Sequence, residues 1–506
     1  MKTFKSVLLG AALLSVAACA TTGHAPTIAV EAPPQANDSY FQAAAQRIAA
    51  LPEGERARNV IIFIGDGMGT ATVTAARIYA GQRQGVDGES YALTMDTFPR
   101  TAFSRTYGSD AQISDSAPTA TALVSGVKTG NGVIGLTQGA TPERCEGSLG
   151  FMSRSLFEIA ESQGLATGIV STARITHATP AAAYAHTANR DWENDAYAAQ
   201  SGGADCIDIA RQLIDWPAGD GFEIALGGGR SNFLPSTMND PEDAGARGVR
   251  ADGRDLTAEW VQRPGRAYAW STEQLNAAPA DAQVLGLFSR SHMAYESERA
   301  RDTGGEPSLA EMTATAIRRL ARENAGYVLM VEGGRIDHAH HAGQAGQALS
   351  ETVAFDDAVR TALEMTSRED TLIIVTADHS HTLTIAGYSH RGAPILGLSM
   401  GPNGPVMAAD GHPYTTLGYA NGPGAVFSAE DDERPMNPVL RPDLTGVDTQ
   451  SSTYRQQALV PLESETHGGE DVAIYSWGPG DDAVTGTLEQ NAVFHIMARA
   501  LGFEWR

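Results

Sequence analysis

The chain has 506 residues, 42% of them hydrophobic and 19% charged, a globular composition with room for one large α/β domain plus insertions or for two to three smaller domains. Its 60 acidic residues against 36 basic ones give a net charge of −24, which argues against nucleic acid or anionic lipid headgroups as partners. A small anionic substrate stays open, because a local metal or Arg reverses the sign inside a pocket.

The N-terminus reads as an export signal. Lys2 and Lys5 precede an apolar run, residues 7–17, that is too short to span a bilayer. The run ends in "VAAC", which resembles a bacterial lipobox, so that residues 1–18 are the signal peptide and Cys19 is the lipidated first mature residue. The competing reading takes "ACA", residues 18–20, as an ordinary cleavage site; both readings export the chain, to the periplasm or to an outer-membrane anchor. Residues 19–38, rich in Pro and Ala, read as a tether. In an oxidising compartment Cys145 and Cys206 are free to form a disulfide or to remain two separate thiols.

Along the chain, short apolar runs end in residues suited to chemistry. "NVIIFIGDGMG" (59–69) stops at Asp66, "ATGIVST" (166–172) follows the same pattern, "YVLMVEGG" (327–334) stops at Glu332, and "TLIIVTADHSH" (371–381) stops at Asp378 and His379. "DVAIYSWG" (471–478) lies just after His467. Continuous β-branched runs of this length predict strands buried on both faces. Helical segments alternate with them. The clearest spans residues 309–323, opened by a Ser308/Glu311 capping box with Leu309, Met312, Ala316, Ile317 and Leu320 on one face. The alternation predicts a doubly wound α/β sheet flanked by helices, with ligands bound beyond the carboxyl ends of its strands. Residues 235–282 read as a polar excursion, and residues 400–452, rich in Gly, Pro, Asn and Asp, as an inserted subdomain.

"ISDSAPTATALVSGVKT" (113–129) poses the central question. Ser116 stands where a helix could begin, and capping by an Asp or Ser accounts for the local sequence as well as a nucleophile does. The densest chemistry lies in "VEGGRIDHAHHAGQ" (331–344), with Glu332, Asp337, His338, His340 and His341. Carboxylate oxygen and imidazole nitrogen are the ligands zinc takes when thiolate is absent. Asp337 and His341 are four apart, so one helical turn can aim both at one ion. Asp378, His379 and His467 extend the set. Asp66, between two glycines, marks a crowded site or a tight turn. Together the residues exceed one ion's needs. Two zinc ions about 4 Å apart would clamp a phosphoryl group, and a hydroxyl on zinc needs no His partner to lose its proton. No G-x-S-x-G elbow surrounds Ser116.

Six motifs in order, "GDGMG", "SDSAPTATALVSGVKT", "THATPAAAYAHTANRDW", "VEGGRIDHAHH", "TADHSH" and "ETHGGEDVAIY", resemble the alkaline phosphatase family, from about residue 59 to the C-terminus. The resemblance implies a metal-dependent phosphomonoester hydrolase with Ser116 as the residue phosphorylated and Arg190 holding two phosphate oxygens. It implies one zinc on Asp337, His341 and His467, a second on Asp66, Asp378, His379 and Ser116, and a third ion, magnesium, on Asp66, Thr179 and Glu332. His177 and His338 are similar to the animal-type branch, where both positions are His; His177 lies near the third ion and His338 meets phosphate through water. The resemblance also implies a Cys145–Cys206 disulfide, a homodimer with a crown-like insertion over residues 400–452, and an N-terminal helix at residues 39–51 that embraces the partner, all within one domain, residues 39–506. The extra calcium site of the animal type is doubtful, since its positions read Phe288, Ser289 and Glu306 and one carboxylate is lost. Two alternatives stand beside this reading: a phosphodiesterase or sulfatase of the same superfamily, and a non-catalytic surface protein that binds phosphate or metal. "DSAPTAT" lacks the Arg of a sulfatase signature.

Overall fold

A computed structural model describes residues 27–203, 206–425 and 441–506. Cys19 and its lipobox lie outside these residues. The central element is a ten-stranded sheet. In chain order its strands are β1 (Asn59–Gly65), β2 (Arg100–Arg105), β3 (Ala166–Arg174), β4 (Ile224–Gly228), β5 (Arg266–Ala269), β6 (Gln283–Leu287), β7 (Tyr327–Gly333), β8 (Thr371–Ala377), β9 (Val472–Trp477) and β10 (Thr487–Glu489). They lie side by side as β10-β2-β9-β8-β1-β7-β3-β4-β6-β5. All run parallel except β9, which is antiparallel to both β2 and β8.

The apolar runs make this sheet because successive side chains point to opposite faces and both faces are covered. Val60, Ile62 and Ile64 enter one hydrophobic cluster with Val328, Met330, Leu372 and Ile374. Ile61 and Phe63 enter a second with Leu329, Val331, Ile373 and Val375. The capping box at Ser308 and Glu311 forms as expected, and it opens the helix Leu309–Leu320, whose five apolar positions are buried. The doubly wound α/β expectation holds, with one strand reversed.

Several boundaries differ from the sequence reading. The segment read as a tether is anchored from Ile28 onward. Ile28–Val30 pairs in parallel with Phe503–Trp505, and the buried Gln35 donates to the carbonyls of Ser125 and Arg154 at 3.0 and 2.8 Å. The helix Ser39–Ala49 buries Phe41, Ala44 and Ile48, and Phe41 packs on Phe494 and His495 of its own chain. The polar excursion is partly sheet, since β5 forms its edge strand. The subdomain read as residues 400–452 belongs to a small sheet that starts earlier and ends later, formed by Leu383–Ile385, Leu417–Gly422 and Ala458–Pro461. Cys145 and Cys206 are disulfide-bonded, 61 residues apart. Among the described residues no helix is long and apolar enough to cross a membrane.

Candidate active site

The strands deliver their polar ends to one place. Asp66 follows β1, Glu332 is the last but one residue of β7, and Asp378 and His379 follow β8. Asp337, His338, His340 and His341 ride on Arg335–His341, the short helix after β7. His177 precedes and Thr179 lies within the short helix Ala178–Ala181 after β3. His467 precedes its strand instead of following it. Because β9 runs backwards, the approach to β9 reaches the same end of the sheet. A two-residue antiparallel pairing sets His381 opposite His467, and the His467 ring stacks on His379 with centroids 3.6 Å apart.

Ser116 is the first residue of the helix Ser116–Ser125, and Asp115 is the cap, accepting from the Ala117 N–H at 2.9 Å. Capping therefore does not occupy Ser116. Its hydroxyl, buried, lies 3.4 Å from Asp66 Oδ1 and 3.2 Å from His379 Nε2. Asp115 also accepts from the Gly132 N–H and stands 3.7 Å from Arg190 Nη1. Arg190 Nη2 lies 3.0 Å from His177 Nε2. One glycine of "GDGMG" is forced by this crowding: Gly67 has φ +67°, and a Cβ there would meet the His381 ring at 2.3 Å.

Among the described residues three groups of acids and histidines converge closely enough to hold an ion: Asp337, His341, His381 and His467; Asp66, Asp378 and His379; and Asp66, His177 and Glu332. The family model for alkaline phosphatase matches residues 57–503. The chain belongs to the alkaline phosphatase family. It is 45% identical over 458 residues to the tissue-nonspecific alkaline phosphatase of Gallus gallus, covering 88% of this chain and 84% of that protein. It is 42% identical over 459 residues to a membrane-bound alkaline phosphatase of Bombyx mori, covering 88% and 80%. Among solved structures, the Thermus thermophilus alkaline phosphatase aligns with a TM-score of 0.64 at 26% identity, covering 93% of this chain and 96% of that one. The protein is thus an enzyme, a phosphomonoester hydrolase, and the diesterase, sulfatase and non-catalytic alternatives fall away.

The donor atoms of this alkaline phosphatase site fit cations. His341 Nδ1 donates to the Glu465 carbonyl at 2.5 Å and His467 Nδ1 to the Ser114 carbonyl at 2.8 Å. A carbonyl accepts only, so both rings carry hydrogen on Nδ1 and turn Nε2 to the site. Those two Nε2 atoms face each other across 3.1 Å, and each lies within 3.4 Å of Asp337 Oδ1. Two ring nitrogens and a carboxylate turned inward are a donor set that suits a cation. In the third group Asp66 Oδ2, Glu332 Oε1 and His177 Nδ1, and beside it Thr179 Oγ1, are buried with no hydrogen bond of normal geometry. Burial and the charge of Asp378 raise the Asp66 carboxyl well above its usual range, and burial lifts Glu332 to about 8. Burial likewise raises Asp378, and it lowers His379 and His341. Crowded buried carboxylates beside neutral imidazoles are the charge pattern a bound cation relieves.

Not every residue of the dense motif joins these groups. His340 turns away, its Nε2 3.0 Å from Thr72 Oγ1 and its Nδ1 2.7 Å from the Tyr419 hydroxyl. His338 belongs to none of the three groups and packs on His292 with centroids 3.9 Å apart; burial lowers its pKa to about 3. His292 was not legible, since "RSHM" offers no companion nearby. His381 lies within the first group, yet its Nε2 is 2.7 Å from Asp337 Oδ1 and its Nδ1 2.5 Å from Glu465 Oε2. With an acid on each nitrogen it orients Asp337 rather than offering a lone pair. Ser289, Glu306 and the buried Phe288 of the doubtful calcium site contribute to none of the three groups. Glu306 is raised to about 7, by burial and then by Asp302 and Glu242.

Proposed function

We propose that the enzyme cleaves small phosphate monoesters by transferring the phosphoryl group to Ser116 and then to water. The observation that carries this is the position of Ser116 Oγ, free of capping and within 3.4 Å of Asp66 and His379. Asp337, His341 and His467 would hold one zinc; Asp66, Asp378 and His379, with Ser116, a second; Asp66, Thr179 and Glu332, with His177 alongside, a magnesium. Bound there, the ions supply Lewis-acid charge that lowers the pKa of a hydroxyl or water and neutralises phosphoryl oxygens. Ser116 Oγ gives its proton to water and forms the new P–O bond, and the ester P–O bond breaks as the leaving alkoxide takes up a proton from water. Water then attacks the phosphoserine and releases inorganic phosphate with Ser116 restored. Arg190 holds two nonbridging oxygens with its planar fork, a geometry Lys lacks, and Asp115 and His177 keep that fork in place. His338 reaches phosphate through water. In Ser116→Ala, hydrolysis of p-nitrophenyl phosphate is expected to fall steeply and no phosphopeptide to form; an unchanged rate refutes the role.

The reading extends to location and assembly. Cys19 in "VAAC" carries lipid, and two chains pair through the small sheet, whose Ile385, Leu459 and Val460 are exposed. Labelled palmitate should appear on the protein and vanish in Cys19→Ser; a mature N-terminus at Thr21 would mean release after ordinary cleavage.

A further inference from the structure

The sequence holds 36 basic residues, and reading along it only Lys2, Lys5 and Lys128 are lysines. Lys128 is therefore the one lysine among the described residues, and it is almost wholly buried, 1% exposed. Long basic side chains are seldom buried without a task, and every other long basic side chain among the described residues is Arg.

The ammonium has a built socket. Nζ donates to the Tyr107 carbonyl at 2.7 Å, sits 3.4 Å from the centre of the Tyr107 ring, and stands 3.3 Å from Glu489 Oε2. Glu489, in β10, is also held by Arg105 of β2 at 2.7 Å. A compact ammonium fits between a carbonyl, a ring face and a carboxylate; a planar guanidinium is larger and aims its donors in one plane.

The tether falls at a telling place. Tyr107 opens the loop that ends at Asp115 and Ser116. Lys128 stands two residues past Gly126, which closes the Ser116 helix. Further bonds stitch the loop to the same segment: the Ser109 N–H to the Thr129 carbonyl at 2.9 Å, the Asn131 N–H to Asp110 Oδ1 at 3.0 Å, and the Gly132 N–H to Asp115 Oδ2 at 2.9 Å. The same loop presents the Ser114 carbonyl to His467. Lys128 joins this frame to Glu489 of the edge strand β10.

We infer that Lys128 is a positioning residue, fixing through the Tyr107 carbonyl the loop that aims Ser116 at the phosphorus. The inference rests on the assignment of Ser116 as the phosphorylated residue. The test compares the full-length enzyme with Lys128→Met, Lys128→Arg and Tyr107→Leu, reading kcat and KM for p-nitrophenyl phosphate, bound metal, melting temperature, and phosphate on the Ser116 peptide after acid quench. A displaced nucleophile costs rate far out of proportion to its displacement. Lys128→Met is expected to lower kcat and the rate of Ser116 phosphorylation about 10- to 100-fold, with KM and metal content within about twofold. Tyr107→Leu, which keeps the carbonyl, is expected to hold kcat within about twofold. Lys128→Met with the parent kcat and a lower melting temperature would make Lys128 merely structural and overturn the inference, as would an equal loss of kcat in Tyr107→Leu. Should Lys128→Met fail to fold, Lys128→Arg carries the test with the same expected loss in kcat, and a parent-like kcat there overturns it. A parent enzyme that never carries phosphate on Ser116 would refute the proposed mechanism instead, which separates the two failures.

Discussion

Asp115 and Ser116 are neighbours with separate tasks. A cap needs an acceptor that turns back on the first helical turn, and Asp115 supplies it at 2.9 Å. The next residue is then free to face the acids at the strand ends. The same division holds for Arg190, whose guanidinium is kept between His177 and Asp115 while the side chain stays 19% exposed. It is poised, because neither neighbour takes it in a close bidentate pair. Arg190→Ala removes charge-assisted bonds to phosphate worth about 1.5–3 kcal/mol, so kcat/KM is expected to fall about 10- to 150-fold. Steady-state kinetics on p-nitrophenyl phosphate check this, and a loss below about twofold contradicts the role. At this scale the site was largely legible, since its acids and histidines stand where apolar runs stop. His381 and Glu465 were not assigned, because an orienting bond between side chains 84 residues apart leaves no local pattern.

At the scale of elements, the helix Leu156–Ser162 and strand β3 meet at an unusual acid pair. Glu161 Oε1 accepts from the Thr167 hydroxyl at 2.6 Å and Glu223 Oε2 accepts from the Thr167 N–H at 2.6 Å. Burial, then the charge of Glu223, lifts Glu161 to about 9, and burial lifts Glu223 to about 7. A carboxyl raised on folding keeps its proton in the native state while the unfolded chain has lost it. Its stabilising contribution is therefore complete below the ordinary carboxyl pKa and drains away as pH rises toward 9. Glu161→Gln, neutral at every pH, is expected to melt above the parent at pH 9 and to lose that advantage at pH 5. Melting curves at the two pH values decide it, and an equal difference at both refutes the assignment. The helix at Leu309 could be read from its capping box, because capping is a local bond between residues three apart. The edge strand β5 could not, because "RAYA" has only its neighbour β6 to make it a strand.

For the whole molecule, binding of ions to the folded state alone stabilises it by mass action. Each site filled at about a hundred times its Kd adds about 2.7 kcal/mol, and the three groups draw on residues from Asp66 to His467. Chelation is expected to lower the melting temperature by several degrees and abolish hydrolysis together, and added zinc to restore both. A melting temperature indifferent to chelator would show that the three groups hold no ion.

The sequence by itself determined the class of chemistry. Continuous β-branched runs, three of them ending in an acid or histidine, dictate a buried sheet with a polar end, since side chains that enter both faces must be apolar and the first residue beyond is free. Only the tertiary structure decided which of those residues converge. The reversal of β9 brings His467 to the ends of strands that run the other way. The turn of one short helix separates His341, facing the site, from His340, bonded to Thr72 and Tyr419. Both outcomes depend on contacts between residues far apart in the sequence, where packing rather than local propensity chooses the direction of a side chain.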